Sequence, residues 1–366
     1  MSRKIKHGGR SAFTILEVLV ASVVLALILL IMLGVFDSVR NIHRRSMAQI
    51  KAFREGRQAM DVLSTALSQA TLNSYLDYVD ASGRYRFRAG GNAASFVPAS
   101  YKRTSELRFR SGNLPEVSTE RRPSHAVFFQ APLGLVGAGS TYTGLENLLN
   151  SLGFFIEFGD DMAQRPDFFA NLPSQPPFSH RYRLVQAIQP AEELTLYNDT
   201  AANPGLKSTD ANGLRWLTDT LGSVRRVVAE NIIALVVLPK LGAADQQQGG
   251  YPDGALAPDY LYDSTVGRSD PMLNPSSQLP PVVEITLVAV DEKSYARFQG
   301  NSTSPRDLGL ATLFQTVGDT INPANPGYAQ DFKALEETLA LNHIDYRIFK
   351  VSVPIKSARW SRDQKD

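Results

Sequence analysis

Polar side chains all but vanish between Phe13 and Phe36, a stretch of 24 residues in which only Thr14, Glu17 and Ser22 are polar. A helix rising about 1.5 Å per residue covers roughly 36 Å over that length, enough to cross a bilayer. The run is longer than the core of a secretory signal. It continues through Met32-Leu33 into charged, helix-compatible sequence and has no small-x-small cleavage site at its end. It reads as a retained transmembrane helix. Glu17 is the anomaly in it: a carboxylate within such a segment costs on the order of 2.5 to 3.5 kcal/mol on insertion scales. It persists either by finding a neutralising partner or by reaching out to the membrane surface. Positions 13, 14, 20 and 21, the helical neighbours of Glu17, carry no cation, which points to a partner on another chain.

From residue 37 to about 78 the pattern changes. Apolar residues recur at Val39, Ile42, Met47, Ile50, Phe53, Met60, Leu63, Leu67 and Ala70, the three-four spacing of one helical face. The spacing predicts a single helix from Phe13 to the low seventies, roughly 90 Å long if unbroken. Its first half, 13–36, is apolar all round. Its second half, 37–78, is amphipathic and must lie against the rest of the chain. Gly34, Gly56 and Asn73-Ser74 are places where it bends or stops, or, for the glycines, is merely tolerant.

Residues 79–366 read as a β-rich head. Strands are predicted at 85–88, 107–110, 126–130, 153–158, 182–188, 193–197, 224–238, 282–290 and 344–353, all rich in β-branched and aromatic residues and bounded by Pro, Gly, Asn or Asp. Val283, Ile285 and Leu287 alternate with Glu284 and Thr286, the pattern of a half-buried sheet. The adjacent Ile348 and Phe349 break that alternation in the last strand, so a bulge is expected there. A short helix is expected over 331–341, where Phe332, Leu335 and Leu339 share a face. The fold class is α+β: a long hydrophobic N-terminal helix packed on a largely antiparallel head with long loops. Residues 240–281, with Gln246-Gln247-Gln248-Gly249-Gly250 and repeated Asp, Tyr and Pro, read as a long loop. Its Tyr251, Tyr260 and Tyr262 are expected to pin it to its own domain rather than to a partner.

Composition narrows the chemistry. With no cysteine, neither disulfides nor thiolate metal sites can form. The net charge of +2 drops to −2 once the four Lys/Arg of residues 1–12 are discounted, and no basic, aromatic-interleaved patch is present, which argues against a nucleic-acid partner. No nucleophile elbow, phosphate-binding loop or zinc-protease motif occurs, and His7, His43, His125, His180 and His343 are scattered. Gly134, Gly137 and Gly139 have the wrong order for a dinucleotide fingerprint and read as a turn. Asp160-Asp161 and the set Asp253, Asp259 and Asp263 lack the spacing of a calcium loop and read as solvated loop acids. No catalytic residue, metal or cofactor is predicted.

The N-terminal residues carry a family resemblance. A basic leader over 1–12 (Arg3, Lys4, Lys6, Arg10) ends in a small residue and is followed by Phe13-Thr14-Ile15-Leu16-Glu17-Val18-Leu19-Val20-Ala21. This resembles the class III signal of type IV prepilins and type II secretion pseudopilins. The resemblance implies cleavage between Ala12 and Phe13 by a prepilin peptidase, N-methylation of Phe13, and pairing of Glu17 with the N-terminal amine of a neighbouring subunit. The family usually has Gly where this chain has Ala12, which is small enough for the same pocket. In the head, Val227-Val228-Ala229-Glu230-Asn231-Ile232-Ile233-Ala234-Leu235 and Leu279-Pro280-Pro281-Val282-Val283-Glu284-Ile285-Thr286-Leu287 resemble the paired strands of the minor pseudopilin J and minor pilin W group. The chain is also similar to long pilin-like proteins encoded in multi-gene cassettes of Verrucomicrobia.

The implied protein is a minor pilin-like structural subunit at or near the tip of a pilus or pseudopilus. It would be single-pass in the inner membrane before assembly, with its head in the periplasm, and would meet other pilin or pseudopilin subunits through its N-terminal helix. The orientation comes from the resemblance, because Arg40, Arg44 and Arg45 balance the basic leader in any charge count. The alternative is a membrane-anchored periplasmic domain with a ligand-binding or enzymatic role, for which the helix is only a tether.

Overall fold

A computed structural model describes residues 14–83, 96–166, 168–169, 178–197, 214–249, 255–268, 270, 273–317 and 327–361. Helix α1 spans Ile15–Ser68. The chain divides into two units, Met1–Lys51 and Ala52–Asp366, so α1 begins in the first and ends in the second. Neither Gly34 nor Gly56 interrupts it.

The helix stops ten residues short of the expected Tyr78. After it, β1 (Tyr75–Val79) pairs antiparallel with β2 (Ser100–Thr104). The amphipathic spacing fades beyond Ala70, and the sequence Tyr-Leu-Asp-Tyr-Val favours a pleated strand over a helix. Asn73 fixes the change: its side-chain oxygen accepts from the backbone N–H of Glu106 (2.8 Å) and Leu107 (3.1 Å), which commits the chain to an extended course.

Six further strands and one helix follow in order: β3 (Phe109–Gly112), β4 (Ala126–Pro132), β5 (Leu149–Gly159), β6 (Arg181–Gln189), α2 (Arg215–Gly222), β7 (Val224–Glu230) and β8 (Ile232–Lys240). Then come α3 (Ala243–Gly249), β9 (Tyr262–Asp263), β10 (Val282–Val290), α4 (Glu292–Gln299), α5 (Tyr328–Leu341) and β11 (Tyr346–Pro354). One sheet runs β7-β6-β5-β4-β3-β9 and another β11-β10-β8, with every pairing antiparallel. The described structure is therefore α+β, with an apolar N-terminal helix and antiparallel sheets.

The main core lies inside the second unit. It joins Ala59, Leu63 and Leu67 of α1, Phe129, Phe154 and Ile156 of the larger sheet, and Leu235, Ile285 and Leu287 of the smaller one, all buried. A second, smaller core fills the opposite face of the larger sheet, where Phe128 and Phe155 meet Trp216 and Leu217 of α2.

Several expectations are corrected. The single strand over 224–238 is two strands in different sheets, parted at Asn231. Asn231 takes the left-handed conformation (φ 58°), its N–H donates to Tyr182 O (2.8 Å), and its carbonyl accepts from Val290 N–H (2.9 Å). Asn is one of the few non-glycine residues that adopt this geometry readily. The strand over 193–197 is instead a pair of 3₁₀ turns, Ala191–Glu193 and Thr195–Tyr197. There the Gln189 side chain donates to Glu193 O (2.8 Å), a local bond that competes with any ladder. No bulge occurs at Ile348-Phe349: β11 keeps unbroken register with β10 from Pro354 to Tyr346. As an edge strand it tolerates Ile348 facing outward. The irregularity falls on the other side of β10, at Val288/Ala289 opposite β8.

The helix expected from 331 begins three residues earlier, at Tyr328, and α2 and α4 were not anticipated. The loop over 240–281 carries α3 and β9, and Tyr260 and Tyr262 are buried against its own domain, as expected. Tyr251 and the strand expected at 85–88 lie outside the described residues.

Candidate functional site

Among the described residues one helix is long and apolar enough to cross a membrane, the 26-residue stretch Ile15–Arg40, and none of its apolar window is buried by the chain itself. Its large side chains face outward all round, from Ile15 and Leu16 to Val35 and Phe36. The hydroxyls on it are satisfied within the helix: Ser22 donates to Leu19 O (2.8 Å) and Ser38 to Gly34 O (3.0 Å).

Glu17 lies in the first turn. Its backbone N–H meets Thr14 O (3.0 Å) and the Thr14 hydroxyl oxygen (3.3 Å), so Thr14 caps the helix start. An acid in the first turn also faces the positive end of the helix dipole, a favourable placement. No described residue pairs with the Glu17 carboxylate. Ala12 and Phe13, the predicted processing pair, lie outside the described residues.

In the head, Leu235 faces Leu287 and Ile285 faces Val237 across β8 and β10, so the later part of the first head phrase does pair with the second. The earlier part, β7, belongs to the other sheet. The loop acids, expected to be solvated, are instead held by partners, and Asp161 and Asp263 are largely buried in ion pairs. Asp161 forms an ion pair with Arg165 (3.1 Å) and accepts from Ser179 N–H (3.1 Å), which holds its carboxyl below the ordinary range despite partial desolvation. Asp160 accepts from Met162 N–H (3.0 Å), Asp259 pairs with Arg268 (3.0 Å), and Asp263 pairs with Arg110 (3.1 Å). Asp253 lies outside the described residues. Among the described residues no group of three or more His, Asp and Glu is placed to hold a metal ion. Gly134 and Gly139 adopt φ of 66° and 81° in the connection after β4, the turn expected of them.

Two features were not singled out from sequence. Arginines gather on one face of β5, β6 and β7: Arg181 lies 2.7 Å from Glu230 and 3.0 Å from Glu292, while Glu157 is bridged by Arg122 (2.8 Å) and Arg225 (3.2 Å). The alternation Arg181-Tyr182-Arg183-Leu184 was the available signal, since it puts charge on one face of a strand whose other face is core. His125 is the second feature: it is fully buried, with both ring nitrogens bonded. Its partners are 112 and 189 residues away in sequence, beyond the reach of any local pattern.

In comparisons with known proteins, no family model, curated protein or solved structure matches this chain.

Proposed function

We propose that this chain is a minor pilin-like (pseudopilin) subunit. In this reading a prepilin peptidase cuts between Ala12 and Phe13, the new Phe13 amine is methylated, and the protein waits in the inner membrane as a single-pass subunit with its head in the periplasm. It is then drawn into a pilus or pseudopilus, at or near the tip, where its N-terminal helix packs among those of other subunits.

The observation that carries the reading is Glu17: a lone carboxylate in the first turn of a membrane-length helix, with no described partner in its own chain and apolar surface on every side. Burying that surface against like helices compensates for leaving lipid. A charge in such a seam is tolerable only when an opposite charge is supplied, and the amine freed at Phe13 of a neighbour supplies one. The head, which buries its own core, is left to contact neighbouring minor subunits or cargo.

Mass spectrometry of the N-terminus tests this in cells that contain an active prepilin peptidase. A chain beginning with methylated Phe13 is the expected product. Recovery of the chain with residues 1–12 still attached would overturn the reading.

A further inference from the structure

Tyr78 and Tyr101 stand directly opposite one another on β1 and β2, with their rings in contact. The centroids are 4.6 Å apart and the planes inclined at 41°, and the Tyr101 hydroxyl donates to the Tyr78 hydroxyl oxygen at 3.2 Å. Because the oxygens are closer than the centroids, the rings converge toward their hydroxyl ends, which brings together the carbons ortho to each hydroxyl. Both rings are open to solvent, Tyr78 at 45% exposure and Tyr101 at 57%. Tyr182 and Tyr295 are also neighbours, 6.1 Å between centroids, but both are buried and out of reach of a reagent in solution.

The ribbon that carries the exposed pair has little to hold it. Among the described strands, β1 and β2 pair only with each other, whereas the rest form sheets of three and six. A two-stranded ribbon is marginal in water by itself. With no cysteine, the chain has no disulfide to fasten it. A covalent bond between residues 23 apart in sequence would do so, by closing that loop and lowering the entropy of the opened ribbon.

A tyrosyl radical carries much of its unpaired spin on the carbons ortho to oxygen, and two such radicals couple there. We propose that Tyr78 and Tyr101 form an oxidative modification site, where a one-electron oxidant of the haem-peroxidase class, driven by hydrogen peroxide, joins them as an intramolecular dityrosine that staples β1 to β2. Each phenol gives up one electron and its hydroxyl proton. A carbon–carbon bond then forms between the two ortho carbons, and the hydrogen that each of them carried moves to the phenoxyl oxygen, restoring both hydroxyls. The two electrons and two protons released reduce one hydrogen peroxide to two waters. Neither ring belongs to the main or the second core, so the bond requires no unpacking. Nothing in it depends on how the N-terminal helix assembles.

Treatment of the full chain in detergent micelles with a haem peroxidase and limiting hydrogen peroxide tests the site. The monomer should acquire dityrosine fluorescence, and trypsin should release peptides 58–84 and 89–102 joined with the loss of two hydrogen atoms. Proximity makes the coupling intramolecular, so its yield should not change on dilution. Tyr78→Phe and Tyr101→Phe should each lower the monomer's dityrosine by roughly tenfold or more. Tyr142→Phe, at an exposed tyrosine on another loop, should leave it unchanged, with far-UV circular dichroism checking that all three variants are folded. Amide hydrogen exchange at 75–79 and 100–104 should slow once the link is made. Absence of the link from the monomer, its presence only in covalent dimers, a yield unaffected by Tyr78→Phe or by Tyr101→Phe, or exchange unchanged by the link would overturn the proposal.

Discussion

His125 fastens the larger sheet to β8. Its Nδ1 accepts the backbone N–H of Val237 (3.1 Å) and its Nε2 donates to the carbonyl of Phe314 (2.8 Å), so the ring is needed neutral and in one tautomer. Burial lowers its pKa from 6.5 to about 4. The unfolded chain therefore takes up a proton as pH falls through about 6.5, whereas the folded protein resists until about 4. Stability from this residue is complete above pH 6.5 and declines between 6.5 and 4, by about 3 kcal/mol in all. Chemical denaturation at pH 7 and at pH 4.5 should show a smaller pH-dependent loss for His125→Gln than for the parent. Equal losses in the two proteins would refute the assignment. Nothing about His125 was legible in its neighbourhood in sequence, because its role exists only once β4, β8 and the segment around Phe314 have met. Glu17, in contrast, was conspicuous at once, since the single charge in a 24-residue, mostly apolar stretch needs no tertiary information to stand out.

At the scale of elements, the sequence pattern told most where periodicity was strong. Of the apolar stripe read along the second half of the helix, Met60, Leu63, Leu67 and, just past the end of α1, Ala70 are buried, whereas Val39, Ile42 and Met47 are exposed, so only its later part lies against the head. Strands at 126–130, 153–158, 182–188 and 282–290 were foreseen because alternation and β-branched content agreed; β4, β5, β6 and β10 now contain them. What escaped was decided by single residues acting over distance, as when Asn73 ended the helix region and Asn231 divided one apolar run between two sheets. The two helical glycines also differ in a way no propensity scale reveals. A Cβ at Gly34 would meet nothing within 4 Å, whereas one at Gly56 would lie 2.4 Å from the Phe349 ring of β11. Gly56→Ala should therefore destabilise the protein by about 1 to 3 kcal/mol despite gaining helix propensity of about 1 kcal/mol, and Gly34→Ala should not. Denaturant midpoints of the two variants check this, and a Gly56→Ala protein as stable as the parent would show that the ring yields without cost. Phe349→Leu should recover part of the loss in the Gly56→Ala background.

For the molecule as a whole, the helix that begins in the first unit serves two environments. Ile15–Arg40 shows apolar surface on every side, while the stretch from Ala59 to Ala70 is part of the main core. Glu17→Ala removes a charge without shortening the apolar run, so membrane insertion should be unchanged or improved. Under the proposed function it should abolish co-purification with partner subunits in a pull-down, and normal recovery of partners would show the carboxylate to be dispensable. The class of fold and the membrane-length helix were legible because both are written in local periodicity. The cluster of arginines around Glu157 and Glu230 was not, because it is assembled from β5, β6, β7 and the segment before β4, and no short window of sequence contains it.

The last residues of the head also fasten the lower end of α1. Lys356 donates its backbone N–H to Ser68 O (3.2 Å), and the Ser357 hydroxyl bonds to Ala70 O across 287 residues of sequence. Segments 287 residues apart must therefore meet before this end of the helix is fixed. Contacts of such long sequence separation form slowly, so on refolding from denaturant this closure is expected among the later events. A chain caught before it leaves part of its apolar surface open and is prone to aggregate.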